Sequence, residues 1–247
     1  MSDPGLEIRE RFLHVKEQIA DAAESSGRNA ADVRLVVVSK AQPMFVMEAA
    51  VEAGIRVFGE NYPEEGYEKI HHFRGVEGIE WHMIGHLQSR KARLVAESFQ
   101  WLHSLDSLRL AEKLNIAVAS LTASQKPLQV IIEMNVSGEE SKFGWLAWNA
   151  NQWGSLVPEI EQLGRFSHLR IRGLMTMPPY SEDPEQARPY FAKLRQLRDF
   201  LEGSVHDLKL PELSMGTSAD FQSAVKEGAT FVRVGQAILG SRPARRV

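Results

Sequence analysis

The chain has 247 residues, of which 43% are hydrophobic and 25% are charged, and its formal net charge is −3. This balance is typical of a soluble globular protein with a sizeable core, and the charge argues against a general nucleic-acid-binding protein, which is usually strongly basic. The absence of cysteine excludes disulfide bonds, thiolate catalysis and cysteine-ligated metal sites.

The first predicted element is a helix over about 5–26, in which apolar residues recur with a period near 3.6 before Gly27 ends the pattern. The opening segment MSDPGLEIRE is polar and acidic rather than apolar, so we expect no signal peptide. The sequence contains no run approaching the ~18 apolar residues that a membrane span requires. We therefore expect a cytoplasmic protein that does not contact a membrane.

Strand-like and helix-like segments then alternate along the chain. The predicted strands are short apolar and β-branched runs at 34–39, 55–58, 79–84, 101–105, 128–136, 168–177, 213–216 and 231–235. Helical patterns fill the intervals at 43–53, 62–73, 88–98, 106–120, about 145–163, 184–201 and 218–227. Eight alternations predict an α/β fold, a single (β/α)8 TIM-type barrel over about 34–240 with an extra N-terminal helix, forming one domain over 1–247. An open doubly wound sheet is the alternative.

The first strand-like run ends on a lysine, because RLVVVSKAQP places Ser39 and Lys40 directly after Val38. A continuous apolar run is typical of a strand in a parallel sheet, which helices cover on both faces. Lys40 must then either reach solvent or lie where burial lowers the pKa of its ammonium group and makes the amine a nucleophile. The C-terminal strand ends form the active face of such a barrel, so this position is where a functional lysine is expected.

The last two strand ends, in SMGTSADF and VRVGQAILG, combine glycines with hydroxyl groups. These two loops frequently bind phosphate in (β/α)8 barrels through backbone N–H groups. Gly216 and Gly235 would let the backbone approach an anion closely, and Ser218 could donate to a phosphate or cap the following helix. An ordinary capped helix with glycine turns is the alternative.

A nucleophilic lysine and a phosphate site together point to a ligand that has both an aldehyde and a phosphate. Pyridoxal 5′-phosphate (PLP) is such a ligand, and a sugar phosphate handled by a Schiff-base aldolase is the competitor. Because the first and last strands of a barrel pair, Lys40 and the phosphate loops would be neighbours.

Seven segments carry a family resemblance that runs from about residue 34 to residue 242. They are VVVSKAQP, FGENYPEE, EWHMIGHLQSRK, HSLDSLRLAEKL, NVSGEESKFGW, IRGLMTMPP and LSMGTSADFQSAVKEGATFVRVGQAILG. Together they resemble the pyridoxal phosphate homeostasis proteins, a PLP-binding family that is similar to the N-terminal barrel of alanine racemase and lacks that enzyme's second domain.

The resemblance implies a role for individual positions. Lys40 matches the lysine that forms an aldimine with PLP, and Asn61 matches an asparagine near the cofactor ring. Ser218 in the SMGTS loop, with its neighbour Gly216, matches the phosphate grip together with Gly235 and the residue after it. Arg233 matches the arginine that faces the pyridine nitrogen.

The chain departs from the family pattern at three of these motifs. Thr217 stands where the family usually has methionine, and Gln236 stands where it usually has threonine or serine, so a phosphate contact there would come from the backbone N–H or from the amide side chain. Arg90 stands where asparagine is commoner.

The resemblance implies a protein of intracellular PLP homeostasis that holds the cofactor without strong catalytic turnover, and a PLP-dependent racemase or decarboxylase of the alanine-racemase fold type is the alternative. Arg233 favours the first, because a guanidinium with a pKa above ~12 cannot protonate the pyridine nitrogen. A racemase also needs a second acid–base group opposite the lysine, and among the four tyrosines only Tyr62 falls near the expected site. Apo-PLP enzymes and free amino acids are the expected partners, and a monomer or weak dimer is the expected state.

Two further clusters predict no chemistry. His82 and His86 flank a strand end without a third ligand, so we expect no metal site. Trp145, Trp148 and Trp153 are expected to pack on a helix rather than to form an aromatic cage.

Overall fold

The computed structural model describes residues 4–121 and 126–242, and within them eight parallel strands close a barrel. The strands are β1 (Arg34–Val38), β2 (Val57–Glu60), β3 (Glu80–Met83), β4 (Trp101–Leu105), β5 (Leu128–Asn135), β7 (Leu169–Met175), β8 (Glu212–Thr217) and β9 (Phe231–Val234); a two-residue strand β6 (Trp145–Leu146) lies outside the ring on β5. The order β4-β3-β2-β1-β9-β8-β7-β5 is closed by pairing of β4 with β5. The predicted (β/α)8 barrel is confirmed, and the open sheet is excluded.

The barrel strands alternate with helices that cover their outer faces. The helices are α1 (Pro4–Ser25), α2 (Met44–Glu52), α3 (Pro63–His72), α4 (Ala92–Ser98), α5 (Leu108–Ala119), α6 (Val157–Leu163), α7 (Arg188–Ser204), α8 (Phe221–Lys226) and α9 (Gln236–Leu239), with single 3-10 segments at Ala30–Asp32, Ser89–Lys91, Ala150–Leu156 and Pro184–Ala187. Within residues 4–121 and 126–242, no helix combines the length and the hydropathy needed to cross a bilayer.

The predicted N-terminal helix is α1, and it covers the place where the first and last strands meet. Its apolar stripe, which includes Ile8, Val15 and Ile19, is buried against α2, α8 and α9. Beyond its C-terminal end, Arg28 donates to the carbonyl oxygens of Val225 (2.5 Å) and Ala229 (2.9 Å). The segment that precedes the barrel is thus tied to the region between β8 and β9.

The predicted helix over about 145–163 is only partly correct. Residues 145–146 form β6, which pairs in parallel with β5, and helical structure begins at Ala150. The cause is Gly144, where φ is +96° and an added Cβ would lie 2.3 Å from the carbonyl oxygen of Glu133, so the chain is held directly against β5. Trp145 and Trp153 are buried, and their indole N–H groups donate to Glu159 and to the carbonyl of Ala147, whereas Trp148 is 50% exposed, contrary to the expected packing.

The barrel interior differs from the packing beneath the helices. Its apolar layer is small and consists of Val36, Trp101, Ile131, Met175 and Phe231. The remaining inward positions include polar and charged side chains, which is unusual for a buried layer and requires that they be hydrogen-bonded. Above this layer the C-terminal strand ends surround a cavity.

Candidate functional site

A cavity of about 490 Å³ lies at the C-terminal ends of the strands and has an apolar wall that includes Val38, Ile84 and Met175. Its volume is within the range of small-molecule sites. Seven of the eight predicted residues line it: Lys40, Asn61, Thr217, Ser218, Arg233, Gly235 and Gln236. A more open groove of about 700 Å³ at the opposite end of the barrel contains none of them.

Gly216 is the predicted residue that does not line the cavity. Its φ is +92°, and an added Cβ would lie 2.6 Å from the Cβ of Ala224 and 2.9 Å from the Cα of Phe221. The absence of a side chain at Gly216 therefore lets the end of β8 pack against α8, rather than letting a ligand approach the backbone.

Lys40 is half-buried in the turn after β1. Burial lowers the pKa of its amine, the positive charge of Arg242 lowers it further, and the carboxylates of Glu60 and Glu65 oppose the shift. A lowered pKa increases the fraction of uncharged, nucleophilic amine near neutral pH. Of the two possibilities left open by the sequence, Lys40 is thus in the environment of a nucleophile.

A buried ion-pair cluster that sequence reasoning missed holds the turn on both sides of Lys40. The ammonium of Lys69, 3% exposed, donates to the carbonyl oxygen of Ser39 (2.6 Å) and to Oε1 of Glu60 (2.7 Å) and Glu65 (2.6 Å). Ser39 Oγ donates to Glu60 Oε1 (2.6 Å), and the backbone N–H of Ala41 donates to Glu65 Oε1 (2.6 Å). Residues 39 and 41 are each fixed to this cluster, so the position of Lys40 between them is fixed as well.

The two predicted phosphate loops lie side by side at one end of the cavity. Ser218 Oγ accepts from the backbone N–H of Gly235 (3.3 Å), whereas Thr217 donates both its backbone N–H and its hydroxyl to Asp220 Oδ1 (2.6 and 3.0 Å). Ser218 is exposed, and its hydroxyl proton is available to an anion. The hydroxyl of Thr217 is occupied by the turn.

Arg233 lies at the cavity floor, 4% exposed. Its guanidinium donates to Ser214 Oγ, to the carbonyl oxygen of Thr176 (3.1 Å) and to Met177 Sδ (2.9 Å). Burial lowers its pKa to about 10, against the opposing effect of Asp220 and Glu133. Arg233 therefore stays charged at neutral pH and can only donate hydrogen bonds.

Glu133 is a cavity residue that sequence reasoning missed. Its side chain is buried, and its Oε2 has no hydrogen-bond partner within the described part of the chain. Burial, reinforced by the negative charge of Asp106, raises its pKa to about 7. The available signal was a lone carboxylate in the apolar run LQVIIEMNV.

The aromatic lining was not predicted either. His86 stacks on Phe143 with ring centroids 3.9 Å apart, and its Nδ1 lies 3.1 Å from Asp106 Oδ2. Tyr180 lines the cavity, whereas Tyr62 does not. His82 points into the barrel interior, away from His86, and residues 4–121 and 126–242 contain no group of three metal-ligating side chains of the His, Cys, Asp and Glu types.

These residues fit PLP. Lys40 could supply an amine of lowered pKa for the aldehyde, Ser218 and the backbone N–H groups that follow Gly235 could supply donors for the phosphate, and Arg233 could supply a cationic donor for the ring. Asn61 lies beside Gly85, where an added Cβ would be only 2.4 Å from the carbonyl oxygen of Asn61, so the asparagine and this loop are held in contact.

Comparison with known proteins gives the same answer as the motifs. Residues 14–243 match the family described as "Alanine racemase, N-terminal domain". The pyridoxal phosphate homeostasis protein of Escherichia coli (strain K12) is 40% identical over 240 residues, which are 96% of this chain and 97% of that protein.

Solved structures are also similar. PipY of Synechococcus elongatus, known without PLP and with PLP bound, has a TM-score of 0.80 at 33% identity and covers 94% of this chain and 100% of its own. An alanine racemase from Clostridium difficile shares the fold, with a TM-score of 0.67 at 15% identity, over 98% of this chain and 58% of its own. The chain belongs to the pyridoxal phosphate homeostasis protein family, within the wider family of alanine racemase N-terminal domains.

Proposed function

We propose that this chain binds PLP and serves intracellular PLP homeostasis, holding the cofactor covalently at Lys40 without rapid turnover of amino acids. The observation that carries the proposal is that the Lys40 amine and the two phosphate loops open onto one cavity of suitable volume. PLP supplies, when bound, an aldehyde that reacts reversibly with amines. The names of the relatives and the PLP-bound form of PipY support the assignment.

Different residues would bind different parts of PLP. Lys40 would provide the amine, Ser218 and the backbone N–H of Gln236 would bind the phosphate beside Gly235, and Arg233 would donate to the ring. Asn61, which follows β2 and lines the cavity, would lie near the ring. The ring would lose electron-withdrawing power relative to one whose nitrogen is protonated, because a guanidinium holds its protons too firmly to transfer one.

A racemase or decarboxylase is the second candidate, and Glu133 favours it. A cavity carboxyl with a pKa of about 7 can take up and release a proton near neutral pH, which is what a general acid–base group needs. The homeostasis function remains our choice, because Arg233 disfavours charge delocalisation into the ring whatever base is present.

Three narrower statements stay predictions from the sequence. Apo-PLP enzymes and free amino acids are the expected partners, the chain is expected to be a monomer or weak dimer, and the cytoplasm is the expected compartment.

Reduction of the PLP-treated protein with borohydride, followed by peptide mapping, tests the proposal. We expect the pyridoxyl group on Lys40, its loss in Lys40→Ala and its retention in Lys142→Ala. Lys142 is the matched control because it lines a pocket that shares Met177, Tyr180 and Thr217 with the cavity. A label that stays unchanged in Lys40→Ala and disappears in Lys142→Ala would overturn the assignment.

A further inference from the structure

A continuous chain of hydrogen bonds runs through the barrel interior from the cavity floor to the opposite mouth. Arg233 donates to Ser214 Oγ, which lies 2.8 Å from Nδ1 of His103. Nε2 of His103 lies 2.8 Å from Nδ1 of His82, and Nε2 of His82 lies 2.6 Å from Glu80 Oε1. Both histidines are fully buried, whereas the Glu80 side chain is 30% exposed.

With both rings neutral, the two ends of this series of hydrogen bonds fix the direction of every bond between them. Arg233 can only donate, and the carboxylate of Glu80 can only accept, since its pKa is lowered to about 2 by His82 and Arg34 despite the opposing effect of burial. Ser214 must then donate to His103, which accepts at Nδ1 and donates through Nε2–H. His82 does the same toward Glu80, so both rings are neutral Nε2–H tautomers.

The surroundings of the two rings support the neutral form. His82 stacks on Trp101 with an interplanar angle of 1°, and the edge of Phe231 contacts both rings. Burial lowers the pKa of both histidines. The charged groups that act on the pair come from four strands: Arg34, Glu80, Glu212 and Arg233.

Reversing the direction of the inner hydrogen bonds would require one more proton. If His82 were doubly protonated, it would donate to His103, and His103 would donate to Ser214. Ser214 would then accept from both sides, and its own proton would have no partner in the chain. The observed set of contacts is fully satisfied only with Glu80 ionised and both rings neutral.

We propose that His103 and His82 are positioning residues that, anchored by Glu80, keep Ser214 oriented as an acceptor for Arg233 and so hold the guanidinium at the cavity floor. A carboxylate at one mouth of the barrel thereby controls a donor at the other. The part of this inference that concerns the ligand rests on the proposed function, whereas the tautomers are a property of the protein alone.

Nitrogen-15 NMR of the histidine side chains in the protein without PLP tests the tautomers. We expect His103 and His82 to be neutral Nε2–H tautomers from about pH 6 to about pH 8, without the titration that exposed histidines show there. Titration of either ring in that range, or an Nδ1–H tautomer, would overturn the inference. Because no variant is needed, this result is independent of folding defects and of PLP binding.

Two surface variants then test the coupling across the barrel. Glu80→Gln removes the charge at the end of the chain, whereas Glu212→Gln removes a carboxylate beside the same mouth that pairs with Arg172 (3.6 Å) and lies outside the chain. In Glu80→Gln we expect a mixture of His82 tautomers, a shifted absorption maximum of bound PLP and about fivefold weaker PLP binding, the factor for one hydrogen bond. Glu212→Gln should leave all three unchanged.

The outcomes separate the two proposals. Equal effects of both variants would show that only the electrostatic environment of the mouth matters and would contradict the positioning role. Correct tautomers in a protein that does not bind PLP would contradict the proposed function and leave the tautomer assignment intact. Bound PLP with an unchanged spectrum in Glu80→Gln would contradict the coupling alone.

Discussion

Glu133 is a cavity residue whose raised pKa makes the stability of the protein depend on pH below neutrality. Its pKa is raised to about 7 in the folded protein, so between its unfolded value and about pH 7 the folded state binds more protons than the unfolded state. The free energy of unfolding therefore falls as the pH rises through this range. The pKa shift of Glu133 corresponds to about 3 kcal/mol in the free energy of unfolding.

We predict that Glu133→Gln is more stable than the natural protein at pH 8, by up to about 3 kcal/mol, and nearly equal to it at pH 5. The amide keeps the shape of the side chain and removes the cost of a buried charge. Urea unfolding at both pH values measures the difference, with exposed Glu139→Gln as the control. A gain of the same size at pH 5 and pH 8 would show that the charge of Glu133 is not the cause.

Ser218 should distinguish PLP from pyridoxal, which lacks the phosphate. In the proposed mode of binding its hydroxyl would donate to the charged phosphate, and hydrogen bonds to charged groups contribute about 1.5–3 kcal/mol. We predict that Ser218→Ala weakens binding of PLP by ~10-fold or more and changes binding of pyridoxal little, as measured by absorption titration with each ligand. Equal losses for the two ligands would place the serine away from the phosphate.

At the scale of the elements, the buried cluster between β2 and α3 couples a helix to the turn after β1. Lys69 neutralises two carboxylates there, and removal of one partner from a buried pair costs about 3–5 kcal/mol. We predict that Lys69→Met lowers the free energy of unfolding by this amount, as measured with urea. We also expect the turn that carries Lys40 to be less firmly fixed. Lys91→Met removes the similar but more exposed contact with Glu64 (2.7 Å) and should cost less than about 1 kcal/mol.

A double variant checks the reason for that loss. Glu60→Gln in the Lys69→Met background removes one of the carboxylates that would be left unpaired, so part of the stability should return. Independent side chains would give the opposite result, because Glu60→Gln would then lower the free energy of unfolding by the same amount in the Lys69→Met background as in the natural protein. That outcome would contradict the coupling described for this cluster.

The elements differ in how well the sequence predicts them, for physical reasons. Most barrel strands contain short, largely buried apolar runs, so their pattern is visible locally, and all eight were predicted. Residues 145–146 were assigned to a helix because the reason for β6 is a contact with β5, eleven residues away, that the lack of a side chain at Gly144 permits. At the site, residues at strand ends were predicted. The roles of Lys69 and His103 depend on contacts with Ser39 and Ser214, which are 30 and 111 residues away, and the raised pKa of Glu133 depends on its burial in the folded barrel.

At the scale of the whole molecule, the question is whether bound amino acids react. The lysine alone suffices for exchange with an amino acid, whereas racemisation also needs a general acid–base group, which typically contributes ~10²–10⁴-fold. We predict that free amino acids change the absorption spectrum of the PLP-loaded protein while their α-hydrogens exchange with deuterated solvent slowly or not at all, as measured by proton NMR.

Two variants show which residues are responsible for any exchange of the α-hydrogens. Rapid exchange that Lys40→Ala abolishes would support the racemase or decarboxylase, and its loss in Glu133→Gln would identify the base. Slow exchange that is equal in the natural protein and in Glu133→Gln is the result expected of a protein that holds PLP without turnover.

The pairing of β1 with β9 has a consequence for synthesis of the chain. Lys40 follows the first barrel strand and Gly235 follows the last, so the two halves of the cavity are made nearly 200 residues apart and meet only when β9 has left the ribosome. A nascent chain can therefore not retain PLP until the ring is closed. Once it is closed, ligand binding stabilises that seam by mass action. PLP binding thus requires a closed barrel. When PLP is scarce, we expect the pairing of β1 with β9 to lose the stabilisation that the ligand provides.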